Sequence, residues 1–126
     1  MNLIQKYGKE LELIKNCNLV DSILIFGSYL ENKQNSNSDL DIAIIFKKNV
    51  SNNKKQEILS YGNEELDLNN FENLPLYLQF KIINFGTVYF TNKNLYELKR
   101  SIRHEWFDFK PTLNRIYKSK KLLPIM

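Results

Sequence analysis

Two short apolar runs, separated by a polar loop, set the limits on what this chain can become. Ile23-Leu24-Ile25-Phe26 closes on Gly27-Ser28, and Leu40 to Phe46 opens directly after Asp39 and carries Asp41. Each run has the length and the β-branched and aromatic content of a buried strand. Residues i and i+2 of a strand share a face, so Asp39 and Asp41 are expected to project together from one sheet edge. Two like charges that close repel unless a cation sits between them, and hard oxygen ligands select magnesium or manganese. Gly27 leaves the backbone free to approach a phosphate, Ser28 adds a hydroxyl, and a helix N-terminus is expected to follow.

The pattern of Gly-Ser, a spacer and Asp-x-Asp resembles the active-site signature of the nucleotidyltransferases of the DNA polymerase beta superfamily. Ten residues lie between Ser28 and Asp39. That spacing in a chain of 126 residues is similar to the minimal nucleotidyltransferases that act as antitoxins to HEPN-domain toxins. The resemblance implies an α/β fold, a small mixed sheet flanked by helices, formed by one domain over 1–126.

The bulk composition fits such a domain. At 15.0 kDa, with 43% hydrophobic and 13% aromatic residues, the chain can bury a modest core and is not of the disordered class. A net charge of +4 comes from Lys residues scattered through a Lys-, Asn- and Ile-rich sequence, which reads as a solvated basic surface. Cys17 stands alone, so no intramolecular disulfide can form. The N-terminus lacks the apolar core of a signal peptide and no run approaches membrane-spanning length, so a cytoplasmic protein is expected.

In chain order, Leu3, Ile4, Tyr7, Leu11 and Ile14 recur at helical spacing and predict one amphipathic helix over 2–16, with Gly8 a weak point. A first strand is expected over 19–26, a short helix over 29–33 and a mobile loop over 33–38. The second strand spans 40–46, a helix 54–61 and a third strand 64–71. Pro75 marks the start of a helix that Asn84-Phe85-Gly86 ends, and 87–90 reads as a short strand. From Asn94 an amphipathic helix runs through Leu95, Leu98, Ile102, Trp106 and Phe109 and is disturbed at Pro111. This order predicts a small sheet with its helices on one side.

A two-metal transfer site needs a third acid. Asp67 lies between Leu66 and Leu68 in the third strand, and burying an unpaired carboxylate is costly, so it should face a cation or a polar cleft. The run Leu66-Asp67-Leu68 followed by Leu74-Pro75-Leu76 also resembles the family's third-acid strand. Glu65 is the fallback if the register slips. His104, the sole histidine, sits among Lys99, Arg100 and Arg103 and reads as a surface or interface residue. Three residues separate Arg100 from His104, too few for the Arg–His motif of a HEPN ribonuclease. Trp106, Phe107 and Phe109 read mostly as core, with room for a partner surface.

The resemblance implies catalytic roles for Asp39, Asp41 and Asp67, with the same three as metal ligands for Mg2+, and nucleotide binding at Gly27 and Ser28. It implies an antitoxin that transfers AMP from ATP to a tyrosine of a partner HEPN ribonuclease toxin, with pyrophosphate leaving. No direct nucleic-acid contact and no membrane association are expected. The sequence ends soon after the core that resembles the family, so the acceptor is expected to be a docked protein. Some relatives carry an Arg before the Gly-Ser pair. Here Phe26 stands there, so a phosphate contact must come from elsewhere, such as Lys33 or the partner. The competing readings are an antitoxin that masks its toxin by binding alone and an enzyme that modifies a small molecule such as an aminoglycoside.

Overall fold

In a computed structural model of the chain, described for residues 2–27 and 39–119, four strands form one mixed sheet in the order β3-β2-β1-β4. The strands are β1 (Val20–Phe26), β2 (Leu40–Phe46), β3 (Leu66–Asn70) and β4 (Thr87–Thr91). β1 pairs antiparallel with both β2 and β4, whereas β2 and β3 run parallel. A parallel pair needs a crossover, and α3 (Asn52–Leu59), capped by the Ser51 hydroxyl, supplies it. β2 and β3 therefore begin at the same edge of the sheet, the edge where antiparallel β1 ends. The short helix and loop expected within 29–38 lie outside the described residues.

The predicted helix over 2–16 is two helices, α1 (Leu3–Lys6) and α2 (Gly8–Asn16), which part at Tyr7 (φ −103°, ψ 18°). Asn2 and Gln5 form a capping box that ends within one turn. The break leaves Tyr7, Leu11 and Ile14 buried together, so the apolar periodicity survives the kink. Asn18, at φ 68°, then turns the chain into β1.

Helices cover both faces of the sheet, not one side as expected. Ile23, Ile25, Ile42, Ile44 and Leu68 pack with Leu11, Ile14 and Ile58 of α2 and α3. Leu24, Ala43 and Ile45 point the other way, to Ile82 and Ile83 of α4 (Leu76–Phe85) and Ile102 of α5 (Tyr96–Ser119). The reason is visible in β1 and β2, whose residues are apolar at successive positions and so bury on both faces.

α5 continues through Pro111, although the proline has no N–H to donate to the Phe107 carbonyl. Of its three central aromatics, Trp106 alone is core: it is 3% exposed and stacks on Phe80 with centroids 5.7 Å apart. Phe107 meets the edge of the same ring at 5.8 Å yet is 53% exposed, and Phe109 is exposed as well. Phe107, the next residue after Trp106, is turned by about 100° around the helix and so leaves the buried stripe.

Gly86 joins α4 to β4 at a tight contact. A Cβ there would lie 2.6 Å from the Ile82 carbonyl oxygen and 2.9 Å from that of Ile25, both backbone atoms. Its φ of −75° is unstrained, so the glycine is required for proximity alone. Gly86→Ala should lower stability by about 1–3 kcal/mol, as overpacking does, read as a fall in urea midpoint at unchanged slope.

Candidate active site

The acids meet because of register. Asp41 of β2 pairs with Asp67 of β3 and, on its other side, with Phe26 at the end of β1. Alternation puts Asp41 on the face of Ala43 and Ile45, the face that α4 and α5 cover further along the sheet. Asp67 shares that face, since Leu66 and Leu68 point into the opposite core. Asp39 precedes β2 and is exposed, and the amide of Leu40 anchors that strand start by donating to the Glu65 carbonyl at 2.7 Å.

Gly27 follows directly after β1 with φ 85°, a conformation that side chains rarely adopt. Its second constraint is Asp41. A Cβ on Gly27 would overlap the Asp41 carboxylate, with the Asp41 Cγ 2.9 Å away. The glycine thus seats an acid as well as leaving the backbone open. Ser28, the other predicted nucleotide-binding residue, lies outside the described residues, as does Lys33.

Asp41 is half-buried, and its carboxyl is pushed up to about 6. Burial is the largest cause, followed by a hydrogen bond with the Asp67 carboxyl and the charges of Asp67 and Asp39. Burial and neighbouring acids together disfavour the charged form of Asp41. Among the described residues no three His, Cys, Asp or Glu side chains converge into a ready-made cation cage. The all-oxygen donors of Asp39, Asp41 and Asp67 nonetheless suit a hard divalent cation, which would relieve the crowding that lifts Asp41.

Glu65, the fallback third acid, is engaged elsewhere. Its carboxylate bonds the Lys6 ammonium at 2.9 and 3.1 Å, and that bond holds it below the usual carboxylate range. Asn63 fixes the strand start beside it, its Oδ1 accepting from the amides of Glu65 (2.9 Å) and Leu66 (3.0 Å). Asn69, two residues after Asp67, donates from Nδ2 to the carbonyls of Ile42 and Asp67, both at 3.3 Å. It braces the β2–β3 seam under the acids, a role that only the strand pairing reveals. His104 is exposed and faces Asp108 at 3.4 Å along α5. Among the described residues no helix is long and apolar enough to cross a membrane.

The mixed sheet flanked by helices, with an acid row at one edge, is the polymerase beta-like nucleotidyltransferase fold. The chain belongs to that family: the model of "Polymerase beta, Nucleotidyltransferase" matches residues 9–95. The chain is 36% identical over 90 residues to the Methanocaldococcus jannaschii protein named "Putative protein adenylyltransferase MJ1547", covering 71% of each. Its fold is similar to a chain in the crystal structure of a toxin-antitoxin with AMP-PNP (TM-score 0.72, 21% identity, 95% of this chain and 99% of that one). It is also similar to a chain in the complex of tri-AMPylated Shewanella oneidensis HEPN toxin with MNT antitoxin (TM-score 0.67, 16% identity, covering 94% and 99%).

The crowded pair makes a pH prediction. Asp41 ionises less readily folded than unfolded, so its contribution to stability is full below the ordinary carboxylate value of 3.8 and is lost as pH rises through about 6. In chelator, Asp67→Asn should therefore gain stability over wild type as pH rises from 4 to 7. Parallel urea midpoints for the two proteins across that range would show that the carboxylates do not repel.

Proposed function

We propose that this protein is an antitoxin that transfers AMP from ATP to a tyrosine of a partner HEPN ribonuclease toxin and thereby inactivates it. The observation that carries the reading is the strand-paired row of Asp41 and Asp67, with Asp39 alongside, seated on Gly27. The relative named as a protein adenylyltransferase and the likeness to chains of toxin-antitoxin complexes, one with an AMPylated toxin, support the choice of protein as acceptor.

In this reading the Gly27-Ser28 backbone and hydroxyl take the phosphates of ATP. Asp39, Asp41 and Asp67 would hold Mg2+, which supplies charge to offset that of the triphosphate and of the departing pyrophosphate. Asp67 accepts the proton of the tyrosine hydroxyl. The phenolic oxygen then bonds the α-phosphorus as the bond to the bridging oxygen breaks, giving tyrosyl-AMP and pyrophosphate. Asp41 lies between Asp67 and Gly27, so it stands between the acceptor side and the phosphate side of the site.

The experiment compares wild type with Asp39→Asn/Asp41→Asn and with Asp67→Asn, each incubated with toxin, ATP and magnesium and read by intact mass of the toxin. The double variant should add no AMP and fail to restore growth on co-expression, although the complex still forms. Asp67→Asn should lose turnover by roughly 10²–10⁴-fold, as removal of a general base does, while keeping most of its ATP affinity. Rescue by the double variant at equal abundance, with no added mass on the toxin, would refute enzymatic action and leave masking by contact.

A further inference from the structure

Asp67 stands on a strand with little to hold it. β3 is five residues long and lies at the edge of the sheet, so it is paired on one side only, with β2. The Leu40 amide donates to the Glu65 carbonyl at 2.7 Å, which in a parallel ladder turns the main-chain groups of Leu66 away from β2. An edge residue of that kind has no strand to take its N–H and C=O. At Leu66 both are taken by Asn63. The Asn63 amide donates to the Leu66 carbonyl at 2.9 Å, and Asn63 Oδ1 accepts from the Leu66 amide at 3.0 Å. One residue thus stands in for a neighbouring strand, at the position directly before Asp67.

Further contacts hold Asn63 in that posture. Its Oδ1 also accepts from the Glu65 amide at 2.9 Å, closing an Asx turn, and from the Tyr7 hydroxyl at 3.4 Å. Gly62 lets the turn close, since a Cβ there would stand 2.8 Å from the Leu66 carbonyl oxygen. Tyr7 is buried at the break between α1 and α2, and Lys6 beside it grips Glu65. The N-terminal helices therefore reach the acid row through Asn63 and Glu65, from the opposite face of the sheet. A general base has little tolerance for error in place: a displacement of about 1 Å can cost roughly 10²-fold in rate.

We propose that Asn63 is a positioning residue of the transfer reaction: its clasp on Leu66 sets the place of Asp67 beside Asp41. The inference rests on the proposed transfer of AMP and adds to it a residue outside the acid row.

Two substitutions test this on the whole chain, with toxin and magnesium-ATP, well below the melting temperature. Asn63 is exposed, so neither variant disturbs the core. Asn63→Ala removes the acceptor and should lower kcat roughly 10–10²-fold while ATP affinity is kept. Asn63→Asp retains an acceptor oxygen at the same place and should bring kcat back to within about threefold of wild type. In an Asp67→Asn background Asn63→Ala should cost nothing further, because it acts through Asp67. Without ligand, the Leu66 amide should exchange about tenfold faster in Asn63→Ala and recover its protection in Asn63→Asp. Wild-type kcat in Asn63→Ala overturns the proposal, as does unchanged Leu66 exchange. So does a loss that Asn63→Asp fails to restore, or a further loss on top of Asp67→Asn, since either would leave Asn63 a part of the scaffold alone. A wild type that adds no AMP to the toxin removes the transfer reading and this proposal with it. An active wild type that Asn63→Ala equals removes the proposal alone.

Discussion

The contact on which the site depends is the one between the Asp41 carboxylate and the bare Cα of Gly27. It locks the end of β1 to the start of β2 at the point where both chains leave the sheet. The parallel pairing of β2 with β3 then adds Asp67 to the same row, and α3 is the crossover that makes this pairing possible. Half-burying a carboxylate and gathering like charges around it costs free energy, visible in the upward push on Asp41. The fold bears that cost at the edge of a sheet whose centre is dry. Ile23, Ile42 and Ile44 are fully buried a few residues from the acids. Stability is thus held in the two cores, and the strained electrostatics are confined to the rim, where a ligand can relieve them.

The two faces of the sheet divide the work. One face carries α1, α2 and α3 and closes on Leu11, Ile14 and Ile58, away from the acids. It is tied to the start of β3 by the Lys6–Glu65 pair and by the Tyr7 hydroxyl, which donates to Asn63 Oδ1 at 3.4 Å. The other face carries α4 and α5, and the acids project from it beyond the helices. A face covered along most of its length and open at one end makes a cleft without a second domain. The closeness of α4 to β1, set by Gly86, decides the width of that cleft.

Much of this was legible along the chain. The second strand, Leu40–Phe46, is where its apolar run places it, and the helix after Pro75 and the strand at Thr87 follow from local turn chemistry. Asp67 as partner of Asp41 was legible as an acid interrupting an apolar strand, since such a residue must find a polar environment. Less legible was the break at Tyr7, because capping by Asn2 and Gln5 competes with an apolar period that runs unbroken through it. The exposure of Phe107 and Phe109 was hidden too, because hydrophobicity alone does not say which stripe of a helix meets the core. Helices on both faces were implied by the unalternating apolar runs of β1 and β2, a signal outweighed by the simpler one-sided arrangement.

What the sequence determined by itself is chemical and local. Gly27, Asp39 and Asp41 sit at strand ends because glycine and charged residues bound the apolar runs, and a period of two places the two acids on one face. What only the tertiary structure decided is long-range. The register that sets Asp67 opposite Asp41 and the use of Gly27 as the seat of a carboxylate both join residues far apart in the chain. Strand pairing and helix packing minimise a free energy summed over the whole core. The juxtapositions they create therefore have no counterpart in the spacing of residues along the chain.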